Sequence, residues 1–245
     1  MSLFSISDLH LSLAVSKPMD VFGSRWQGYT EKLEKNWRAV VKENDTVVVP
    51  GDISWAMNLR EAEADLRFID SLPGRKLLGK GNHDYWWETV TKMKRYLAEC
   101  GITSIDFLHN NAFLTDDFIV CGTRGWYTEE KLQPSDEAHD TDYAKISARE
   151  RGRLRASLDA ADALRQTAEG CGKPILVYLH FPPAFGDFAD QTLIDLMKEY
   201  GVSRCLYGHI HGRYDIPRST VVDELPVTII SADYLGFVPM ITLPG

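Results

Sequence analysis

Thr46-Val47-Val48-Val49-Pro50-Gly51-Asp52 is the stretch on which the fold turns. Four β-branched residues in a row, with no polar alternation, read as a strand buried on both faces, as in a sheet covered by other layers. Pro50 and Gly51 stop the strand, and a carboxylate, Asp52, stands in the loop that follows. The same grammar recurs along the chain. A short apolar strand over 3–7 ends at Asp8, and one over 76–78 delivers Gly81-Asn82-His83-Asp84. Another over 175–179 ends at His180, and one over 205–207 runs into Gly208-His209-Ile210-His211.

Between these strands, Leu33, Trp37, Val40 and Val41 recur at helical spacing and predict a helix over 30–42. Further helices are read at 59–71, 87–100, 142–169 and 191–200, the first of these closed by Pro73-Gly74. Short strands at 112–115 and 118–122 flank an Asp116-Asp117 turn, and Val221-Val222, 227–230 and 237–241 read as an antiparallel closing section. Alternating strands and helices argue for an α/β layered fold. With no internal repeat, low-complexity tract or linker, residues 1–245 are expected to form one domain.

Composition narrows the function classes. The 245 residues carry 27 Lys plus Arg against 35 Asp plus Glu, and 44% are hydrophobic, which is globular in type. The net charge of -8 argues against a partner bound through a nucleic-acid backbone, although a local basic groove or bound cations can reverse the charge where it matters. No apolar run is long enough to span a membrane, and nothing at the start reads as a signal peptide. Cys100, Cys121, Cys171 and Cys205 are widely spaced, the pattern of reduced thiols in a cytoplasmic protein. Nothing in the sequence sets the oligomeric state.

In open α/β sheets, sites form outside the carboxyl ends of the strands, so the five ligand-bearing loops are expected to share one crevice. Their imidazoles, carboxylates and amide oxygen suit Mn, Fe or Zn, whereas an all-oxygen set suits Mg or Ca. The donors are too many for one ion, and a carboxylate such as Asp52 can bridge two cations about 3.5–4 Å apart. Glycines beside Asp52, Asn82 and His209 let the backbone turn sharply there. Five of the seven histidines fall in these loops, while His109 and His139 stand apart and read as surface or capping residues.

The ordered set DLH, GD, GNHD, a strand-end His and GHIH, spanning residues 8 to 211, resembles the calcineurin-like metallophosphoesterase superfamily. The resemblance implies a four-layer αββα sandwich of two mixed β-sheets flanked by helices. It also implies a phosphoester hydrolase with two divalent metal ions and a small-molecule phosphoester substrate. One metal would be held by Asp8, His10, Asp52 and His211, the other by Asp52, Asn82, His180 and His209. A metal-bridging hydroxide would attack phosphorus, and His83 would protonate the leaving-group oxygen. In relatives an acidic group can orient that histidine; Asp84 is the candidate, since the stretch after Gly51-Asp52, where some branches carry the acid, reads Ile53-Ser54-Trp55-Ala56.

Alternatives come from the same fold. A nuclease needs a basic groove that the acidic chain does not advertise. Lipid-precursor pyrophosphatases usually carry Arg where His83 stands, and non-catalytic scaffolds typically lose ligands that this chain retains. Arg124 reads either as a contact to substrate phosphate or as half of a structural ion pair. Tyr85-Trp86-Trp87 could wall the cleft, with core packing favoured. The polar loop over 17–22 lies either over the site or on the surface. Arg149, Arg151, Arg153 and Arg155 read as a solvated, salt-bridged helix face in preference to a nucleic-acid patch.

Overall fold

The computed structural model describes residues 1–126 and 143–243. Along the chain run β1 (Leu3–Ser5), α1 (Tyr29–Val40), β2 (Thr46–Val49), α2 (Leu59–Ser71), β3 (Arg75–Leu78), α3 (Val90–Glu99) and β4 (Ile105–Phe107). Next come β5 (Ala112–Leu114), β6 (Ile119–Thr123), α4 (Tyr143–Arg165), β7 (Ile175–Leu179), and a small hairpin of β8 (Ala184–Phe185) and β9 (Phe188–Ala189). The chain continues through α5 (Gln191–Glu199), β10 (Val202–Tyr207), β11 (Ser219–Val222), β12 (Leu225–Ile229) and β13 (Met240–Thr242).

Two large mixed sheets result, ordered β13-β1-β2-β3-β4 and β11-β12-β10-β7-β6-β5. The valine run of β2 shows why they stack. Val47 and Val49 pack with Leu33, Trp37, Leu66 and Ile69 on the helix side, while Val48 faces Leu77, Val120, Tyr178 and Leu206 of the layer between the sheets. On β7, Ile175, Val177 and Leu179 meet Leu154 and Leu158 of α4 and Leu193 of α5, and Leu176 and Tyr178 point the other way. Each central strand is thus covered on both faces, giving four layers with α1, α2 and α3 outside one sheet and α4 and α5 outside the other. The polar knot that β1 places between the sheets is self-satisfied: the Ser5 hydroxyl lies 2.8 Å from the Tyr178 hydroxyl and 3.0 Å from that of Thr242.

Local sequence sets the element ends. Asn58, Thr89 and Asp190 cap α2, α3 and α5 by accepting backbone N–H bonds, which is why α3 begins at Val90 and not at Trp87 as the apolar pattern suggested. Lys76, fully buried in β3, donates its ammonium to the carbonyls of Asp70 and Leu72 and to the Ser104 hydroxyl, satisfying orphan carbonyls at the end of α2. The closing section departs from the antiparallel expectation, because β12 pairs parallel to β10 and only β11 and β13 run antiparallel to their neighbours. The strand expected over 237–241 shortens to β13. Phe237 sits at φ 61° and packs its ring on Trp26 and Tyr29, at 5.2 and 5.6 Å between centroids.

Candidate active site

The five loops do converge. Asp8 and His10 follow β1, Asp52 follows β2, Asn82 and His83 follow β3, His180 follows β7, and His209 and His211 follow β10. Asp8, His10, Asp52 and His209 all adopt left-handed backbone conformations, at φ 62°, 46°, 50° and 68°. Such strain in non-glycine residues persists only where the surroundings hold it, and it is a mark of functional loops. The adjacent glycines make room. A Cβ on Gly81 would lie 2.0 Å from Asp52 Oδ1, and one on Gly208 would lie 2.4 Å from Asp8 Oδ2.

Two groups of side chains could hold a metal ion: Asp8 with His10 and His211, and Asp52 with His180 and His209. Their distances interlock. His10 Nε2 lies 3.2 Å from His211 Nε2 and 3.6 Å from Asp52 Oδ2. The same Asp52 oxygen is 3.4 Å from His180 Nε2, so it faces both groups. Asn82 Oδ1 completes the second, at 2.7 Å from His180 Nε2 and 3.1 Å from His209 Nδ1. All seven residues expected from the sequence as metal ligands are therefore brought together.

The donor set fits cations on electrostatic grounds. Asp8 and Asp52 are both buried, and burial, reinforced by Asp8 and Asp84, pushes the Asp52 carboxyl well above the usual range. Burial holds His10 and His180 neutral, with pKa values well below normal. Neutral imidazoles among crowded carboxylates are ready ligands whose repulsion a cation relieves. His211 differs. Burial opposes its charge, but Asp233 and Asp8 outweigh burial and raise its pKa to about 10.

Asp233 is the participant that the sequence reading missed. Fully buried, it lies 2.8 Å from His211 Nδ1 and accepts from the Gly212 N–H at 3.0 Å and the Tyr214 hydroxyl at 2.9 Å. Its carboxylate orients the His211 ring so that Nε2 faces the ligands, as outer carboxylates do for metal-bound histidines. The available signal was positional: Asp233 follows the end of β12, as the other site residues follow theirs.

His83 donates its backbone N–H to Asp52 Oδ1 at 2.9 Å and packs its ring on Trp55, centroids 4.4 Å apart. Its Nδ1 is enclosed without a hydrogen-bond partner among the described residues. Asp84 occupies a different place from the one expected of a partner for that ring. Its carboxylate accepts the N–H groups of Gly81, Asp52 and Ile53 at 2.7, 2.9 and 2.9 Å, with Ser54 N and Trp86 Nε1 at 3.3 and 2.9 Å. Those bonds tie the Gly51-Asp52 loop to the Gly81-Asn82 loop.

A cleft of about 280 Å3 opens over the site, lined by His10, His83, His211, Trp26, Trp55 and Phe22, among others. Phe22 and Met19 come from the loop over 17–22, which thus covers the site, and the Lys17 ammonium sits 4.4 Å from the Trp55 ring centre. Trp86 is fully buried, Trp87 packs against the core, and Tyr85 is exposed beside His83. Arg124 lies outside this cleft, its guanidinium 3.6 Å from Glu150 and over the Trp126 ring at 4.5 Å. Glu150 also takes Arg153 at 2.5 Å and Arg149 at 4.0 Å, and Arg155 pairs with Glu199, so three of the four arginines expected on a solvated, salt-bridged face are paired, two of them to a buried carboxylate. His109 is half-buried near Trp87, and His139 lies outside the described residues.

Among solved structures, the chain is similar to the protein TT1561 of Thermus thermophilus, with 13% identity, 95% of this chain and 89% of that one covered, and a TM-score of 0.58. It is also similar to a phosphopantetheinyl hydrolase, PptH, from Mycobacterium tuberculosis, at 16% identity over 100% and 96% of the two chains and a TM-score of 0.54. A protein of unknown function from Aquifex aeolicus, AQ665, gives 15% identity, 98% and 95% coverage and a TM-score of 0.52. At these identities the likeness is one of fold. No curated protein matches the sequence. Residues 1–213 match the calcineurin-like phosphoesterase family, and the interlocked ligand groups fall within that span. The chain belongs to the calcineurin-like phosphoesterase family.

Proposed function

We propose that the protein hydrolyses small-molecule phosphoesters at a centre of two divalent cations, Mn, Fe or Zn. The observation that carries this reading is the position of Asp52 Oδ2, 3.6 Å from His10 Nε2 and 3.4 Å from His180 Nε2, which suits a carboxylate shared by two ions. Asp8, His10, Asp52 and His211 would hold one ion and Asp52, Asn82, His180 and His209 the other. When bound, such a pair supplies charge neutralisation for the phosphoryl oxygens and lowers the pKa of water that serves as nucleophile.

The chain's own residues do the rest. Asp84 is a positioning residue, holding two ligand loops in register through backbone amides. Asp233 fixes the His211 tautomer, with the proton on Nδ1 and Nε2 as the donor atom. His83, lining the cleft with Nδ1 enclosed, gives a proton from Nε2 to the leaving-group oxygen. Burial, with His211 and Lys17 adding to it and Asp8 opposing, brings the pKa of His83 down to about 4. A substrate phosphate acts in the opposite direction, so the protonated ring belongs to the substrate complex. Arg124, which bears electrostatically on His180, is the side chain assigned to substrate phosphate on the other flank. Residues 1–245 act as one domain, since both sheets contribute ligands. Among the described residues no helix is long and apolar enough to cross a membrane. The wide spacing of Cys100, Cys121, Cys171 and Cys205 is the feature on which a reducing, cytoplasmic setting is proposed.

A screen of phosphomonoesters and phosphodiesters with added Mn tests the reading. Turnover of at least one class, lost on chelation and restored by Mn, is expected; no turnover of any ester by the metal-loaded protein overturns it.

A further inference from the structure

Apart from the aromatic cleft, and sharing no lining residue with it, the protein builds a second cavity of about 460 Å3 whose walls are basic. Lys80, Arg124, Arg149, Arg153 and His109 line it together with Trp87. Its acidic lining residue, Glu88, is held by Lys92 at 2.6 Å. Beneath it the buried Glu150 serves three guanidinium groups at once, with Arg153 at 2.5 Å, Arg124 at 3.6 Å and Arg149 at 4.0 Å. Lys80 has no carboxylate within ion-pair distance among the described residues. Three guanidinium groups thus share one buried carboxylate, and Lys80 lines the same cavity, in a chain whose net charge is -8.

The cavity is joined to the centre by covalent and hydrogen-bonded neighbours. Lys80 immediately precedes Gly81 and Asn82, and the Arg124 carbonyl accepts the N–H groups of His180 and Phe181 at 3.0 and 2.9 Å. Arg124 bears electrostatically on both His180 and Lys80. The basic cavity is therefore tied through the backbone to the segments that carry Asn82 and His180, whereas the aromatic cleft is lined by His10 and His211 themselves.

We propose that this cavity binds a second phosphate group of the substrate, so that the preferred substrates carry two phosphates, one at the metal centre and one among Lys80, Arg149 and Arg153. The inference rests on the phosphoesterase reading of the centre. Guanidinium forks and an ammonium match the oxygens of a phosphate dianion, and an anion there relieves the repulsion among the cations. Its cations come together around one cavity from the loops after β3 and β6 and from α4, which favours a localised anion over a polymer backbone.

Calorimetry on the manganese-loaded protein decides it, with alkane-α,ω-bisphosphonates of graded chain length and their matching monophosphonates as probes that are bound and not hydrolysed. One chain length is expected to bind at least about tenfold more tightly than its monophosphonate, the worth of one good charged contact. That advantage should fall below about twofold in Lys80→Ala, which breaks no ion pair, and in Arg153→Ala. Equal binding of both probe types at every length, or a tenfold advantage surviving in both variants, overturns the proposal. An anion site filled by free phosphate instead shows no length dependence, which also overturns it. Because the readout is affinity, the absence of hydrolysis of any ester refutes the phosphoesterase reading without touching this result.

Discussion

Asp233 Oδ1 lies 2.8 Å from His211 Nδ1, and this contact makes His211 the one basic imidazole in a cluster of otherwise neutral ones. His211, with its pKa up at about 10, is protonated at neutral pH before a cation arrives. Cation binding must then expel about one proton, so affinity falls as pH falls. Titrating Mn in two buffers of different ionisation enthalpy measures that proton. Asp233→Asn should abolish most of the release and weaken Mn binding by about 10–100-fold.

The same contact sets a stability profile for the metal-free protein. A pKa raised from 6.5 to about 10 gives stabilisation that is complete below 6.5 and lost as pH rises through 10. Thermal unfolding of metal-stripped wild type should therefore fall relative to Asp233→Asn between those values. A drop of at least about 3 °C, the response of a chain this size to about 1 kcal/mol, is expected. Parallel profiles for the two proteins would remove the contact from the stability of the fold.

His83 as proton donor makes a statement about leaving groups. His83→Ala should cut kcat for alkyl phosphates by about 10²–10⁴-fold, and for nitrophenyl phosphates by less than about tenfold, because a nitrophenolate leaves without a proton. Steady-state kinetics on the two ester series separates this from a merely structural loss, which lowers both alike.

Two glycines give opposite outcomes under the same substitution. Gly81→Ala places a methyl 2.0 Å from Asp52 Oδ1 and 2.3 Å from its N, and should cost more than about 3 kcal/mol together with most of the bound metal. Gly152→Ala meets nothing within 4 Å inside α4 and should raise stability by about 0.5–1 kcal/mol. Denaturant melts with metal analysis read both.

The clustered Asp, Asn and His residues were legible in the sequence because each follows a strand, and the two sheets bring those five strand ends together. The doubly buried character of β2 was likewise visible in Val47, Val48 and Val49, which distribute between two cores. What stayed hidden depends on contacts between distant segments. Asp84 stands next to His83 in sequence, yet its carboxylate turns into the backbone amides of residues 52–54, where buried N–H groups hold it. Asp233 carries no motif of its own, since its role exists only once His211 has been placed beside β12. The basic cavity was invisible for the same reason: Lys80, Arg124 and Arg153 are scattered along an acidic chain and meet only through the packing of α4 on β6.

Shared coordination by Asp52 is the centre of the whole reading, and metal stoichiometry tests it most directly. Manganese-loaded wild type should hold close to two ions per chain by elemental analysis. Asp52→Asn should hold fewer than about one and lose hydrolysis of an aryl phosphate. An Asp52→Asn protein that keeps both ions and full activity would contradict it.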